Sequence, residues 1–328
     1  MENKEILKVQ NLVTTFRIQG KEVQAVRGVD LSVSEGEILG IVGESGSGKS
    51  VSMKSIIRML PDSADIKADL MEFDGTDLLS LQEKQMRAVR GNRISMIFQD
   101  PMTSLDPLKR IGSHIEEVLM RHRKISRKEA AVQAVELLRK VGVPSPETRV
   151  RQYPHEFSGG MRQRVLIAMA LACHPSLLIA DEPTTALDVT IQAQILDLIR
   201  ALQQEEQMSV VLITHDMGVV AQLCHRIAVM YGGLIMEMAE TEEIFAHPMH
   251  PYTEALMRSI PSIDEKEGER LIPIGGHAPS LLSPPPGCPF EPRCPYREPS
   301  CREACPQMRQ LSHHHFSRCP KMAGEVKA

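Results

Sequence analysis

A segment rich in glycine and serine, residues 43–50, reads GESGSGKS and fits the pattern G-x-x-x-x-G-K-[S/T]. Glycines at this spacing let successive backbone N–H groups turn towards phosphate oxygens. Lys49 is expected to reach the β- and γ-phosphates of a nucleotide, and the Ser50 hydroxyl is expected to bind Mg²⁺. The residues assigned to this nucleotide site are Gly43, Glu44, Ser45, Gly46, Ser47, Gly48, Lys49 and Ser50.

The segments on either side place this loop between a strand and a helix. Residues 38–42 form a short apolar run typical of a buried strand, and residues 51–60 have a helical pattern. The helix would add the partial positive charge of its N-terminus to the phosphate site. A strand, a glycine loop and a helix open a βαβ unit, and this context separates the motif from a chance Gly/Ser turn.

Two adjacent acidic residues follow another apolar run. Residues 177–180 read LLIA and precede Asp181 and Glu182. Ligands of α/β sheets bind at the carboxyl ends of the strands, so both carboxylates are expected at that edge. Asp181 would hold Mg²⁺, directly or through water, and Glu182 would act as the general base towards an attacking water. A solvated acidic turn is the alternative, which the phosphate loop upstream disfavours.

A histidine occupies the equivalent position after a second strand-like run. Residues 210–214 read VVLIT and precede His215. A lone histidine is more often structural or simply exposed, but its place after a strand puts His215 at the same predicted sheet edge, near the γ-phosphate.

The remaining periodicity predicts an α/β protein with an added helical part. Residues 6–40 alternate apolar and polar residues as β-strands do, whereas residues 107–145 have helical periodicity with many charges. Further helical patterns at residues 161–172 and 191–204 precede and separate the apolar runs. Such alternation indicates an α/β core. Proline, glycine and cysteine accumulate after about residue 235, which predicts a domain boundary between Gly233 and Pro251.

Composition excludes several classes of function. The chain has 328 residues, which favours two domains, and its apolar and charged fractions of 42% and 24% are typical of soluble globular proteins. A net charge of −4 and the absence of Trp argue against binding of nucleic acid. The first ten residues lack the apolar core of a signal peptide, and the longest apolar runs are only as long as strands. We therefore expect a cytosolic protein whose membrane role, if any, comes through a partner.

Five of the seven cysteines fall in the last 41 residues, with the spacing Cys288-x5-Cys294-x6-Cys301-x3-Cys305-x13-Cys319. In a reducing cytosol such clustering favours a metal or iron–sulfur site over disulfides. Four thiolates could hold an iron–sulfur cluster, or one structural Zn²⁺, or the segment could bind no metal. The wide spacings favour the cluster, since zinc knuckles use cysteines two to four residues apart.

Residues 157–163 read FSGGMRQ and resemble the LSGGQ signature of ABC transporter ATPases. Phe157 and Met161 depart from the usual Leu and Gln, but Ser158, Gly159 and Gly160 are intact, so contact with phosphate is expected to survive. In this family the signature reaches across a dimer to the γ-phosphate bound by the other subunit. The order of motifs along the chain also fits the family.

The resemblance implies roles for further residues. Gln99 in FQD looks like the Q-loop glutamine, Asp188 in ALD like the D-loop aspartate, and Phe16 like the aromatic residue that stacks on adenine. His215 looks like the switch histidine. The implied catalytic residues are Gln99, Glu182 and His215, and the implied Mg²⁺ ligands are Ser50, Gln99 and Asp181. The implied fold is a P-loop NTPase core of ABC type with an N-terminal antiparallel β subdomain, a helical insertion at about residues 101–160 and a Cys-rich C-terminal extension.

A narrower resemblance covers nearly the whole chain. The segments FQDPMTSLDP at residues 98–107 and HPYTEAL at residues 250–256 look like those of dipeptide and oligopeptide importer ATPases, as does the cysteine tail. This implies a nucleotide-binding domain at residues 1–235 and an extension at residues 236–328. By the same resemblance Cys288, Cys294, Cys301 and Cys319 match the ligands of a [4Fe–4S] cluster, and Cys305 is extra.

The group implies a peripheral subunit on the cytoplasmic face of the cell membrane that hydrolyses ATP to drive import. Its partners would be a second ABC ATPase, identical or related, two transmembrane permease subunits and an extracytoplasmic substrate-binding protein. A nickel importer ATPase is the nearest alternative. A soluble ABC ATPase is disfavoured because there is one phosphate loop and no sustained heptad pattern. A non-catalytic regulatory subunit is disfavoured by the presence of Glu182 and His215.

Overall fold

A computed structural model describes residues 4–18, 20–100, 103–185, 187–259, 274–312 and 314–320. The chain folds into two compact units. The first unit comprises Met1–Ile6, Ser34–Glu37 and Leu78–Val211, and the second comprises Leu7–Val33, Ile38–Asp77 and Leu212–Ala328. Ala186 and His313 lie outside the described residues, as do Pro101 and Met102 of the FQDPM segment.

The strands within the described residues are β1 Glu5–Ile18, β2 Lys21–Ser34, β3 Ile38–Val42, β4 Ala64–Lys67, β5 Leu70–Phe73, β6 Thr76–Asp77, β7 Ile94–Ile97, β8 Leu177–Asp181, β9 Ser209–Thr214, β10 Arg226–Tyr231, β11 Leu234–Glu240, β12 Arg309–Ser312 and β13 His315–Ser317. The helices are α1 Lys49–Ile56, α2 Glu83–Val89, α3 Ile111–Arg123, α4 Arg127–Lys140, α5 Pro146–Arg149, α6 Gly159–Leu171, α7 Val189–Glu206, α8 Met217–Leu223, α9 Thr241–Ala246, α10 Pro251–Met257 and α11 Ser300–Glu303. Two short 3-10 turns occur at Pro154–Glu156 and Glu291–Arg293.

In the first unit, helices pack on one another and on a parallel strand pair. Strand β7 runs parallel to β8 with Ile94 opposite Leu177, and β9 follows β8 in the strand order. Helix α4 begins with a capping box, in which the Ser126 hydroxyl accepts from Glu129 N at 3.3 Å and the Glu129 carboxylate accepts from Ser126 N. Its buried residues are Ala130, Ala134, Leu137 and Leu138. They form one stripe, which faces α3 and α6.

The second unit contains an antiparallel sheet and a set of strands around β3. The antiparallel sheet has the order β2-β1-β5-β6, with β4 also paired to β1. Strand β3 is buried at all five residues and pairs in parallel with β10. Strand β11 pairs antiparallel with β10 on one side and with β13 on the other, and β12 pairs with β13.

Most predicted elements are confirmed, with shifted ends. The helix predicted at residues 51–60 is α1, which ends at Ile56 because Arg58 adopts a positive φ of 52°. The helix predicted at residues 191–204 is α7, which begins earlier because Asp188 caps it. Helices α3 and α4 lie within residues 107–145, as expected. The tail lacks hydrophobic periodicity, yet β13 adds to the edge of β11 by backbone pairing, which needs no apolar pattern.

No helix among the described residues is long and apolar enough to cross a lipid bilayer.

A buried histidine, His315, fixes β13 to β11. His315 is 1% exposed, and its Nε2 lies 2.7 Å from Oε1 of the buried Glu237, while its Nδ1 lies 3.5 Å from Glu243. Burial disfavours the imidazolium ion, but the hydrogen bonds and charges of Glu237 and Glu243 outweigh it and raise the pKa of His315. Glu237 also accepts from Met249 N at 2.6 Å. The contacts of His315 therefore join β13, β11 and α9.

This raised pKa predicts a pH-dependent stability. A folded pKa above the unfolded value contributes stability that is present below about pH 6.5 and is lost as pH rises through the folded pKa. His315→Gln should lower the unfolding free energy by about 2 kcal/mol at pH 6 and flatten the decline towards pH 9. Melting temperatures across this pH range test it, with the exposed neighbour His314→Gln as the control. An unchanged slope in His315→Gln would contradict the assignment.

Candidate functional site

The segment at residues 43–50 forms a tight loop between β3 and α1 in the second unit. A Cβ placed on Gly43 would lie 2.1 Å from the Met230 carbonyl oxygen, and one on Gly48 would lie 2.5 Å from that of Ala25. Gly48 also has a φ of 102°, a conformation that residues with a side chain rarely adopt. Glycine is therefore required at both positions, and a glycine-rich loop of this type can form a cradle for phosphate oxygens.

The Lys49 side chain is buried inside this loop and bonds to its carbonyl groups. Its ammonium group donates to the Gly43 carbonyl at 2.7 Å and to the Glu44 carbonyl at 2.9 Å, and the residue is only 5% exposed. A buried ammonium group needs such acceptors, and a phosphate oxygen could replace them. Ser50 occupies the second position of α1. The cradle and this donor set fit a nucleotide phosphate with its Mg²⁺.

The acidic pair terminates β8 in the first unit. Asp181 is fully buried at the end of this strand. Glu182 follows with a positive φ of 46°, which is uncommon for a glutamate and marks local strain. Its Oε2 accepts hydrogen bonds from Gln99 Nε2 at 3.0 Å and from Thr185 Oγ1 at 2.8 Å. The parallel pairing of β7 and β8 explains the first contact, because Gln99 follows β7 and Glu182 follows β8.

The signature segment starts a helix of the same unit. Ser158 is the N-cap of α6, and its hydroxyl accepts from Met161 N at 3.4 Å. A Cβ on Gly160 would lie 2.6 Å from Ile191 Cγ2, so glycine permits α6 to approach α7 here. Phe157 is 3% exposed and packs beneath the Arg149 guanidinium at 5.7 Å. The departure from leucine therefore fills a buried site.

Three further predicted residues lie near helix or strand ends. The Asp188 carboxylate accepts from Ile191 N at 2.9 Å as the N-cap of α7. His215 is exposed directly after β9. Phe16 is half-buried in β1 opposite Ala64 of β4. The roles predicted for these three residues remain predictions.

The predicted site residues divide between the two units. The phosphate loop, Phe16 and His215 belong to the second unit. The first unit holds Gln99, Ser158, Gly159, Gly160, Asp181, Glu182 and Asp188. Within the first unit the structure joins Gln99 to Glu182.

Four of the five tail cysteines share one cavity. The cavity has a volume of about 310 Å³, and its lining includes Cys288, Cys294, Cys301 and Cys319 together with Phe290. Cys305 is not in this lining. Burial raises the pKa of the Cys288 thiol to about 12, so this thiol is protonated when no cation lies nearby. Among the described residues, no three His, Cys, Asp or Glu side chains are arranged as a metal site as they stand.

Sequence reasoning missed several residues that hold these groups. Thr185 lies only three positions after Glu182, so the hydrogen bond from its hydroxyl to the Glu182 carboxylate could have been predicted from their closeness in the sequence. Tyr252 lies in the HPYTEAL segment, and its hydroxyl accepts from Glu44 N at 2.9 Å. Arg293 forms an ion pair with Glu44 across 249 positions, for which the sequence carries no local signal.

Comparison with known proteins gives two family matches. Residues 26–185 match the ABC transporter family, and residues 236–301 match the family described as the oligopeptide/dipeptide transporter C-terminal region. A solved ATP-binding cassette, in a dimeric post-hydrolysis state bound to ADP and Pi, aligns with a TM-score of 0.63 and 29% identity. That alignment covers 72% of this chain and 98% of the other.

Curated relatives match over nearly the whole chain. The dipeptide transport ATP-binding protein DppD of Bacillus subtilis is 51% identical over 96% of this chain and 94% of its own length. The oligopeptide transport ATP-binding protein OppD of Bacillus subtilis is 52% identical over 95% of this chain and 87% of its own length. The chain therefore belongs to the ABC transporter family, with the ATP-binding proteins of dipeptide and oligopeptide transport as its relatives, and it is an ATPase of the ABC type.

Proposed function

We propose that this ATPase powers the import of dipeptides or oligopeptides through a membrane transporter. The observation that carries the proposal is the match of residues 236–301 to the C-terminal region of oligopeptide/dipeptide transporters. This region lies outside the part matched to the general ABC transporter family, so it bears on the transport group and not only on ATP hydrolysis. The identities of 51% and 52% to dipeptide and oligopeptide transport proteins support the same group.

Each side chain of the candidate site has a proposed role in ATP hydrolysis. The glycine cradle and Lys49 bind the phosphates, with Ser45, Gly46 and Ser47 completing the loop. The proposed ligands of Mg²⁺ are the oxygen donors Ser50, Gln99 and Asp181, of the kind this ion prefers. When bound, Mg²⁺ supplies charge neutralisation of the phosphates.

Glu182 is the proposed general base. Its carboxylate takes a proton from the attacking water, and Gln99 and Thr185 hold that carboxylate in place by hydrogen bonds. His215 is proposed to contact the γ-phosphate, and Phe16 to stack on adenine. As in other phosphoryl-transfer enzymes, the proposed catalysis consists of positioning the reacting groups and stabilising negative charge on the phosphoryl oxygens.

The proposed assembly places a second ATPase subunit, identical or related, against this one. Ser158, Gly159 and Gly160 would contact the γ-phosphate bound by that subunit, and Asp188 would lie at the shared boundary. Further proposed partners are two transmembrane permease subunits and an extracytoplasmic binding protein, which place the chain on the cytoplasmic face of the membrane. Within this chain the proposed divisions are the β subdomain, the helical insertion at about residues 101–160 and the extension from residue 236, with strands β1 and β2 and helices α3 and α4 in support.

We further propose that the extension holds a [4Fe–4S] cluster. Its ligands are Cys288, Cys294, Cys301 and Cys319, and the support is that these four thiols line one cavity that Cys305 does not line. A cluster takes four thiolate ligands, and binding would drive deprotonation of the thiols. A single Zn²⁺ with the same ligands is the alternative.

The general-base assignment predicts a separation of binding from turnover. Glu182→Gln should bind Mg·ATP with near parental affinity and lower kcat by at least about 100-fold, since a general base contributes 10²–10⁴-fold. Glu205→Gln is a matched control, because Glu205 is 64% exposed and pairs with Lys140. ATP hydrolysis by Glu182→Gln at near parental rate would show that another group takes the proton.

The import proposal predicts a specific transport defect. Cells whose only copy of this ATPase carries Glu182→Gln should lose uptake of a radiolabelled dipeptide to background and keep uptake of ⁶³Ni²⁺. Growth on free amino acids serves as the control for general fitness. Loss of nickel uptake with intact dipeptide uptake would overturn peptide import in favour of nickel import.

The cluster proposal predicts metal content. Protein purified without oxygen should contain about four irons and four acid-labile sulfides per chain. Cys294→Ser should lose both, and Cys305→Ser should keep both, because Cys305 lies outside the cavity lining. One zinc per chain without sulfide would replace the cluster by a zinc site, and a chain without either metal would refute both.

A further inference from the structure

The second residue of the phosphate loop is held by the C-terminal part of the chain. Arg293 donates to both carboxylate oxygens of Glu44, from Nη1 to Oε2 at 2.8 Å and from Nη2 to Oε1 at 2.9 Å. The Glu44 backbone N–H donates to the Tyr252 hydroxyl at 2.9 Å. Side chain and backbone of one loop residue are therefore both fixed by residues after position 250. All these residues belong to the second unit.

Arg293 is itself firmly placed. Its guanidinium also donates to the Tyr231 hydroxyl at 3.0 Å and to the carbonyls of Gly275 at 2.8 Å and Ile274 at 3.0 Å. The Arg293 side chain is only 5% exposed and lies 6.0 Å from the centre of the Phe290 ring. Its two bonds to the Glu44 carboxylate form a bidentate pair. Such a fork of charge-assisted bonds fixes geometry as well as charge.

The rings around Arg293 form one cluster with Tyr252. The Tyr231 and Tyr252 rings are 4.4 Å apart, and Phe290 lies 5.5 Å from Tyr231 and 5.3 Å from Tyr252. Tyr252 and Phe290 are each at most 1% exposed. This packing ties the HPYTEAL segment and the cysteine-rich segment to the end of β10, so both supports of Glu44 share one rigid base.

Glu44 passes this constraint to the phosphate-binding lysine. The Glu44 carbonyl accepts from Lys49 Nζ at 2.9 Å, while its carboxylate accepts from Arg293. A shift of Glu44 therefore moves an acceptor of Lys49. In addition, the Glu44 carboxylate is a negative charge inside a loop that binds polyphosphate, and the Arg293 guanidinium compensates it at hydrogen-bond distance.

We propose that Arg293 is a positioning residue for ATP, through which the C-terminal extension sets the affinity of the phosphate loop. Arg293 holds Glu44 in the conformation that leaves the loop open to phosphate, and it neutralises a carboxylate that otherwise repels the nucleotide. Binding of ATP and ordering of the extension are then coupled, and such coupling is reciprocal. The inference concerns ATP binding and does not depend on which solute is transported.

Removal of charge at this pair gives a sharp test in the full-length chain. Arg293→Gln should weaken binding of Mg·ATP by about tenfold, a typical coupling between two sites, because Glu44 is left uncompensated. The double variant Arg293→Gln/Glu44→Gln should recover much of the loss, since the repelling charge is gone. Arg293→Lys keeps the positive charge but cannot form the two parallel hydrogen bonds. Its affinity for Mg·ATP should therefore lie between those of the parent and of Arg293→Gln. In steady-state ATPase assays the change should appear in KM for ATP, with kcat at saturating ATP little changed.

Arg302→Gln is the matched control. Arg302 also pairs with a glutamate of the extension, Glu291 at 2.8 Å, but it is 67% exposed and its partner lies outside the phosphate loop. Its affinity for Mg·ATP should equal that of the parent. Circular dichroism and melting temperature without nucleotide report folding of each variant. If Arg293→Gln does not fold, Arg293→Lys carries the test, and parental ATP affinity in a folded Arg293→Lys would then overturn the proposal. Parental ATP affinity in a folded Arg293→Gln, or an equal loss in Arg302→Gln, would overturn the proposal.

Discussion

Backbone amides can surround a phosphate group only where no side chain occupies the same space, and the loop at residues 43–50 depends on this steric constraint. Gly43 and Gly48 lie so close to the carbonyls of Met230 and Ala25 that a methyl group fits at neither position. Met230 belongs to β10, which pairs in parallel with β3. The shape of the cradle is therefore set by the strands around it, and the glycines are the residues that permit that approach. Lys49 then satisfies its buried charge on the carbonyls of the loop itself.

In the first unit, the position of Gln99 and Glu182 depends on a different constraint, the parallel pairing of β7 and β8. Parallel strands bring their carboxyl ends to one edge, so Gln99 and Glu182 meet although 83 positions separate them. Glu182 adopts a left-handed backbone conformation at this edge, and Thr185 and Gln99 hold its carboxylate there. A strained residue persists only where its surroundings over-determine it, and strain of this kind gathers at sites with a role in chemistry.

The C-terminal extension contributes both a strand and side-chain contacts to the second unit. Within it β13 pairs with β11, and His315 is buried against Glu237. It also places Arg293 directly before Cys294, at the boundary between the phosphate loop and the cysteine-lined cavity. The Phe290 ring lines that cavity and also packs on Tyr231 and Tyr252. The same aromatic cluster thus supports a candidate metal site and a nucleotide loop within one unit.

Local patterns in the sequence were enough to locate the main helices and to identify the nucleotide chemistry. Periodicity located α3, α4, α6 and α7, and the capping residue Asp188 marks a helix start that periodicity placed two residues late. These features are readable because they depend on neighbours within a few positions. The pattern at residues 43–50 likewise predicts a nucleotide-binding loop from local spacing, since glycine, lysine and serine stand at fixed positions between a strand and a helix.

Contacts between distant groups, in contrast, follow from how the chain packs in three dimensions. The spacing of five cysteines left a cluster, a zinc ion or no metal open, and the fold brings four of them to one cavity while leaving Cys305 outside its lining. Arg293 reaches Glu44 across 249 positions, and Tyr252 reaches it across 208. No local sequence pattern around Arg293 indicates that its partner is Glu44. The ion pair exists because β10, the aromatic rings and the turn at Glu291–Arg293 pack together, and packing between distant segments is not encoded in the spacing of any one of them.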